Sequence, residues 1–315
     1  MVIPITAFPI NYLKVYSTKA RKRSTSAVLT RALSKALGFT LLTVGALSML
    51  IPFIWMIFTS FKPRQVIFQM PPVVWTTQYT LEHYVAAVTQ GSFGIYFKNS
   101  FIVSGCTTVL TVLLVSMAGY AFARLHWRGR DVTFMIVLAT AMLPGLIALI
   151  PTFLIVKNTP LAGGNNLLGR GGIGWLDSYP GLILPAIGGG FNVFLIRQFF
   201  STLPRELEDA ARVDGCSEYR IYSQIIMPLS KPVLAVVAIF TFQGSWNDFL
   251  WPLVIVQSDR MRTIQLGLTL FQSQHSVEWG VLMAGTTLAT APTVALFLFA
   301  QRYFVQGIAL TGIKG

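Results

Sequence analysis

The stretch Arg205–Gly215, RELEDAARVDG, sets four acids and two arginines between long apolar runs. Charge of both signs at this density can form a solvated loop or dock into another protein, and residue types alone leave the two even. No Ser/His/Asp set, paired carboxylate site or His/Cys metal spacing accompanies it. Gly169–Gly174 matches G-x-G-x-x-G, but that motif needs a strand before it and a helix after it. Here it lies in a Gly/Asn-rich segment and reads as a flexible loop. Gly164–Gly171 approximates G-x-x-x-x-G-K-[ST], with Arg170 in the lysine position and Gly171 in the hydroxyl position. The phosphate cradle and the magnesium ligand are therefore missing, and no nucleotide, cofactor or metal is expected on this chain. His83, His126 and His275 are scattered singly and read as loop residues. Cys106 lies in an apolar run and Cys216 in the polar stretch, so no disulfide is expected. Asp248, in SWNDFLWP, is the one acid well inside the apolar runs. A charge at a helix centre costs about 2.5–3.5 kcal/mol on insertion scales, so it normally faces protein or water. Either it lines a path or pairs helices, or it sits near the outer interface or caps an unwound turn beside Pro252.

The elements that must position these groups are set by composition. Of 315 residues, 54% are hydrophobic and 11% charged, against about 25% charged in a soluble domain. A hydrocarbon core ~30 Å thick needs about 20 apolar helical residues, and backbone in lipid must pair internally. The expectation is an all-α membrane protein with six transmembrane helices. The first runs from Ala36 to Ser60, and the second lies between Lys98 and Arg124. The third lies between Asp131 and Lys157, with Pro144 and Pro151 predicting a kink or an unwound turn. The fourth, between Asp177 and Arg197, holds Pro185 and Gly188–Gly190 and should be irregular and closely packed. The fifth runs from Pro232 to near Gln257 and the sixth from Trp279 to Gln301. Thr80–Val88 should form a short helix on the membrane surface, with Thr80 as N-cap and His83 at N3.

The net charge of +13 would suit nucleic acid, but its distribution points to membrane orientation instead. Residues 1–35 hold seven Lys/Arg (Lys14, Lys19, Arg21, Lys22, Arg23, Arg31, Lys35) and no acid, as expected of a cytoplasmic flank. Six spans then place both termini in the cytoplasm. With that assignment 17 of the 24 Lys/Arg fall in cytoplasmic segments. The organisation read is a basic N-terminal segment 1–35, a six-span transmembrane region 36–301 with an internal cytoplasmic loop 202–231, and a cytoplasmic tail 302–315.

Within that loop a helix–turn–helix is expected. Pro204 suits a first turn, and Leu207, Ala210 and Ala211 share an apolar face. Glu206, Glu208 and Asp209 complement the N-terminal dipole. Gly215 supplies the left-handed turn. Ser217 caps a second helix that Pro228 stops.

Asp209-Ala210-Ala211, Gly215, Ile225 and Met227-Pro228 resemble the E-A-A-x3-G-x9-I-x-L-P loop of ABC importer permeases, with Asp for Glu and Met for Leu. SFKP (Ser60–Pro63), NSFIVS (Asn99–Ser104), AGYAFARL (Ala118–Leu125), LDSYPGLILP (Leu176–Pro185), WNDFLWPL and QRYFVQG…KG extend the resemblance to the carbohydrate-uptake branch, similar to the smaller membrane subunit of the maltose importer. The resemblance implies a type I importer permease fold in the inner (plasma) membrane of a prokaryote. It implies as partners a second permease, two ATPases that use ATP and magnesium, and an external solute-binding protein. Glu208, Asp209, Ala210, Ala211, Gly215, Ile225 and Pro228 would couple to the ATPase, with Asp209 meeting a basic residue and Glu208 supplementing it. Lys314 and Gly315 in the tail are further candidates for ATPase contact, and the segment 257–278 for touching the binding protein. Asn192, Trp246, Asn247 and Asp248 are candidates for lining the path. The alternative is half of an ion-coupled secondary transporter, for which Asp248 would be the only coupling group and would lack a partner.

Overall fold

The computed structural model describes residues 25–71, 73, 75–90, 92–272 and 277–312, with side chains from 33 to 301 apart from residue 90. Its elements are helices α1 Thr25–Ser60, α2 Arg64–Ile67, α3 Glu82–Gln90, α4 Phe93–Arg124, α5 Arg130–Met142, α6 Gly145–Lys157, α7 Tyr179–Ile183, α8 Gly190–Thr202, α9 Glu206–Val213, α10 Glu218–Ile221, α11 Met227–Leu229, α12 Lys231–Trp246, α13 Leu250–Ile255, α14 Ile264–Leu268 and α15 Trp279–Gly312. Among the described residues there is no strand beyond an isolated antiparallel bridge between Gln272 and Val277. The chain forms two compact units, Met1–Ile54 and Trp55–Gly315. In the first, residues 33–54 of α1 carry leucines, isoleucines and phenylalanines with their side chains exposed, as lipid contact requires.

Among the described residues, three stretches are long and apolar enough to cross a bilayer: Leu33–Ser60, Phe93–Arg124 and Trp279–Gln301. Three bent helix pairs would bring the number to six if each is one crossing. The third expected span is two 13-residue arms, α5 and α6, meeting at 104°. The break falls at Pro144, because the ring disfavours helical backbone in the residue before it, and Leu143 is extended. Pro151 sits inside α6 without ending it. The fourth is bent by 49° where Gly188 and Gly189 take φ of 101° and 99°. The fifth departs from expectation: α12 ends at Trp246, and α13 starts afresh at Leu250.

In the second unit α4 is the central post, with α12 and α8 packed along it. Small and hydroxylated residues make that approach possible: Ser100, Ser104, Thr107, Thr111, Ser116 and Gly119 are all on α4, and the five with side chains are buried. A Cβ on Gly119 would stand 2.6 Å from Ile196 Cγ2. One core gathers at the C-terminal end of α4 around Val115, Tyr120, Ile196, Phe200, Ile221 and Ile226. Another gathers at its N-terminal end around Phe93, Trp246, Ile264 and Leu282. The third, around Val103, Val156, Leu182 and Ile255, fixes α6, α7 and α13.

Three loop expectations change. The Gly169–Gly174 segment is a compact hydrogen-bonded loop rather than a loose one. Asn165 Nδ2 donates to the carbonyls of Lys157 (2.8 Å) and Thr159 (3.0 Å), and Asn166 Oδ1 accepts from Leu168 and Arg170. His83 lies in α3, is buried, and its Nε2 pairs with the Lys62 carbonyl at 2.8 Å. Residues 263–268, expected in an outer segment, fold inward because Ile264, Leu266 and Leu268 are buried. Asn99 holds this fold from α4, donating to the carbonyls of Arg260 (2.8 Å) and Arg262 (2.9 Å). His275 and Ser273 lie outside the described residues.

Candidate functional site

The polar stretch is an elbow standing on the C-terminal end of α4. Pro204 precedes α9, whose first turn carries Glu206, Glu208 and Asp209, where acids complement the dipole. Asp214 ends it, and Gly215 at φ +76° reverses the chain, a conformation that L side chains disfavour. Ser217 then caps α10, its Oγ accepting from Arg220 N at 3.4 Å. Pro228 does not stop the second helix. A π turn over Tyr222–Ile226 widens the helix just ahead of the proline. A proline ring clashes with the carbonyl four residues back, here Gln224, which lies inside the widened turn. The helix continues through α11 to Leu229 and turns only at Ser230. Cluster residues Ile225 (half-buried) and Ile226 (buried) anchor it.

The face of α9 that packs inward differs from the sequence expectation by about one helix position. Leu207 (44% exposed) and Ala210 point away, whereas Glu208 (2% exposed) and Ala211 are buried. The reason is the partner beneath. Arg124, in the last turn of α4, is buried, and its Nε lies 3.0 Å from Glu208 Oε1. Its guanidinium also donates to the carbonyl of Phe200 and, at 2.6 Å, to that of Leu203. One side chain thus holds the end of α8 and the start of the elbow. A buried cation needs a counter-charge and hydrogen-bond acceptors; Glu208 supplies the first by proximity, and the two carbonyls accept from the guanidinium.

Arg212 extends the network over the surface. It reaches Glu208 Oε2 (3.4 Å), Asp209 Oδ1 (3.0 Å) and Glu218 Oε1 (2.9 Å). Tyr120, one turn before Arg124 on α4, donates to Glu218 Oε2 at 2.7 Å. The hydrogen bond from Arg212 and then that from Tyr120 hold the Glu218 carboxyl below the usual carboxylate range. The hydrogen bond to Glu218 in turn raises the Arg212 guanidinium above its ordinary value. Ser116 and Tyr222 hydroxyls meet at 2.8 Å beneath. The two arms of the elbow are therefore braced to each other and to the post.

What faces outward mixes charge with large apolar side chains. Val213 is 88% exposed and Tyr219 73%, beside Leu207, Ala210 and the bare backbone of Gly215. Asp209 also faces out, with 69% of its side chain exposed. Only Glu208 of the elbow's charges is buried; exposed acids and arginines therefore surround exposed Val213, Tyr219 and Leu207, a mixed surface of the kind that partner proteins cover. Glu208, expected to supplement Asp209 at a partner, is instead engaged internally. The sequence reading missed Tyr120 and Arg124. Their four-residue spacing at the polar end of an apolar run, within AGYAFARL, was the available signal.

The residues proposed to line a path are not brought together. Trp246 is buried in an aromatic nest with Phe97, Phe101 and Phe242 and donates from Nε1 to the Ala289 carbonyl at 2.9 Å. It joins α12 to α15 and so cannot line an open path. Asn192 Nδ2 donates to the Gly188 carbonyl at 2.9 Å, bracing the glycine bend. Asn247 is exposed and accepts from Gln265 Nε2 at 3.3 Å. Asp248 Oδ1 accepts from Trp251 N at 3.3 Å, and so caps the restart of the broken fifth segment. Lys314 and Gly315 lie outside the described residues.

Residues 112–310 match the family model described as the binding-protein-dependent transport system inner membrane component. The chain is 35% identical over 297 residues to the arabinooligosaccharides transport system permease protein AraQ of Halalkalibacterium halodurans, covering 93% of this chain and 100% of that one. It is 32% identical over 284 residues to the trehalose/maltose transport system permease protein MalG of Thermococcus litoralis, covering 87% and 96%. In fold it is similar to a chain of a bacterial ABC transporter involved in the import of the acidic polysaccharide alginate. That similarity has a TM-score of 0.74 and 21% identity, over 87% of this chain and 98% of the other.

Proposed function

Because the chain belongs to the binding-protein-dependent transport system inner membrane component family, a transport component and not an enzyme, we propose that it carries a sugar or sugar-like solute inward. In this reading it works within an ATP-driven assembly in the inner membrane of a prokaryote. It crosses the membrane six times, the fifth crossing made by α12 with α13 while the helix before α12 stays with the elbow, and both termini face the cytoplasm. A second permease completes the path, an external solute-binding protein delivers the solute, and two cytoplasmic ATPases hold the ATP and magnesium. The elbow seats in a cleft of one ATPase, with Leu207, Ala210, Val213 and Tyr219 covered and Asp209 facing a basic residue. Closure of the ATPase pair moves the elbow, and Arg124 passes that movement to α4 and α8. The relatives that carry arabinooligosaccharides and trehalose or maltose favour a small oligosaccharide as the solute.

The observation that supports the coupling role best is the surface of the elbow, with Val213 and Tyr219 exposed among charges of both signs. An ion-coupled transporter is set aside, since the family is binding-protein-dependent and Asp248 serves as a cap. Asp209→Lys should weaken copurification of the ATPase and reduce uptake about tenfold or more, with membrane insertion unchanged. Normal uptake by that variant would refute the docking. A cysteine at Ser217 should be labelled from the cytoplasm and one at Ser273 from outside, and reversed labelling would overturn the orientation.

A further inference from the structure

At the end of α4 farthest from the elbow, a lysine is buried beside the end of the first apolar stretch and the start of the last. Lys62 follows the first stretch by two residues and is 3% exposed. Its Nζ donates to the Val73 carbonyl and lies 4.5 Å from the centroid of the Trp55 ring. No carboxylate among the described residues pairs with it. The ion pair at the same level joins Arg64 to Glu278 at 3.1 Å and leaves Lys62 out. Burial pushes the ammonium below the ordinary lysine range, which an adjacent anion would offset.

Beside this ammonium is a cavity of about 220 Å³, with Trp55, Thr59, Lys62, Phe68, Trp279 and Met283 among its lining residues. One water takes up ~30 Å³ in the liquid, so the space admits a group far larger than a solvent molecule. Thr59 is also buried, and its Oγ1 has no hydrogen-bond partner. A cation without a counter-charge thus borders this space, as does Thr59, whose enclosed oxygen reaches it by rotation about χ1. Trp55 lies near the end of one membrane-length stretch and Trp279 at the start of another. Tryptophan collects at headgroup depth, so the cavity opens where lipid phosphates are found.

We propose that this cavity is an anionic-phospholipid site, in which a headgroup phosphate sits against Lys62 Nζ and Thr59 Oγ1 while Trp55 and Trp279 flank the glycerol and upper acyl carbons. Lysine acts on phosphate as a compact point charge with rotatable donors, and the threonine hydroxyl supplies a further donor. The lipid fastens residues 55–62 to the start of α15. The site requires only that both apolar stretches reach the bilayer surface, and it is independent of what the protein transports.

The test uses the full chain with its copurifying partners, in nanodiscs of phosphatidylcholine with and without phosphatidylglycerol. Retained lipid is read by native mass spectrometry and stability by thermal unfolding. Phosphatidylglycerol should be retained at about one per chain and raise the unfolding temperature. Lys62→Gln should cut that occupancy about tenfold, and Thr59→Val should reduce it by a smaller factor. Inorganic phosphate and glycerol phosphate, added to the phosphatidylcholine discs, should stabilise far less than the lipid. Equal retention of both lipids by the wild type would overturn the proposal, as would equal stabilisation by free phosphate. If Lys62→Gln does not assemble, the wild-type lipid preference and Thr59→Val decide it.

Discussion

Replacing Glu208 with glutamine keeps the volume of the side chain and one carbonyl acceptor but removes the counter-charge of Arg124. Both partners are buried, 3.0 Å apart, and the guanidinium would be left with the carbonyls of Phe200 and Leu203 alone. Removing one partner of a buried ion pair costs about 3–5 kcal/mol, and each 1.4 kcal/mol is a factor of about ten. The glutamine carbonyl recovers part of this, so opening of the elbow should become about 10²-fold more frequent or greater. Amide hydrogen exchange across Leu207–Val213 reads such local opening, and it should accelerate by that factor while the amides of α12 stay protected. In the assembly, uptake should fall more than ATP hydrolysis, because the motor would drive an elbow no longer tied to the post. A cycle with Arg124→Met and the double variant should show a coupling of about 1 kcal/mol or more, since deleting both charges leaves neither uncompensated. Less than threefold acceleration of exchange, or strict additivity in the cycle, would refute the reasoning.

Gly215→Val should destabilise the elbow by about 1–2 kcal/mol through backbone strain alone, because a Cβ at φ +76° would meet nothing within 4 Å; Gly215→Asn should be milder, and uptake assays should rank the two in that order. The lowered pKa of Glu218 means that its contribution to the elbow is present above the ordinary carboxylate range and is lost as pH falls through the lowered value; exchange of the elbow amides should quicken on that acid limb, and Glu218→Gln should abolish the dependence. Gly280→Ala would put a Cβ 2.3 Å from the His83 ring, an overpacking worth about 1–3 kcal/mol; it should lower the melting temperature, while Gly105→Ala, with nothing within 4 Å, should not.

Composition and charge order carried much of this chain. Apolar runs longer than a bilayer is thick, broken by charges, dictate helices because lipid offers the backbone no partner. The spacing from Asp209 to Gly215 and on to Pro228 located the elbow, and Gly215 takes the left-handed turn that its position required. Those inferences are local: each depends on chain periodicity or on the φ/ψ freedom of a single residue. The tertiary structure decided which way the polar groups face. Glu208 and Asp209 are adjacent and chemically alike, yet one is buried against Arg124 and the other is exposed beside Arg212, because only the side of α9 that meets α4 finds a buried cation. Likewise Trp246 reads as a path residue in SWNDFLWP, but it is buried, and its indole donates across to Ala289. Sequence fixes the period of a helix but not its rotation about its own axis, and that rotation is set by partners 43 to 84 residues away along the chain, as the Trp246–Ala289 and Arg124–Glu208 contacts show.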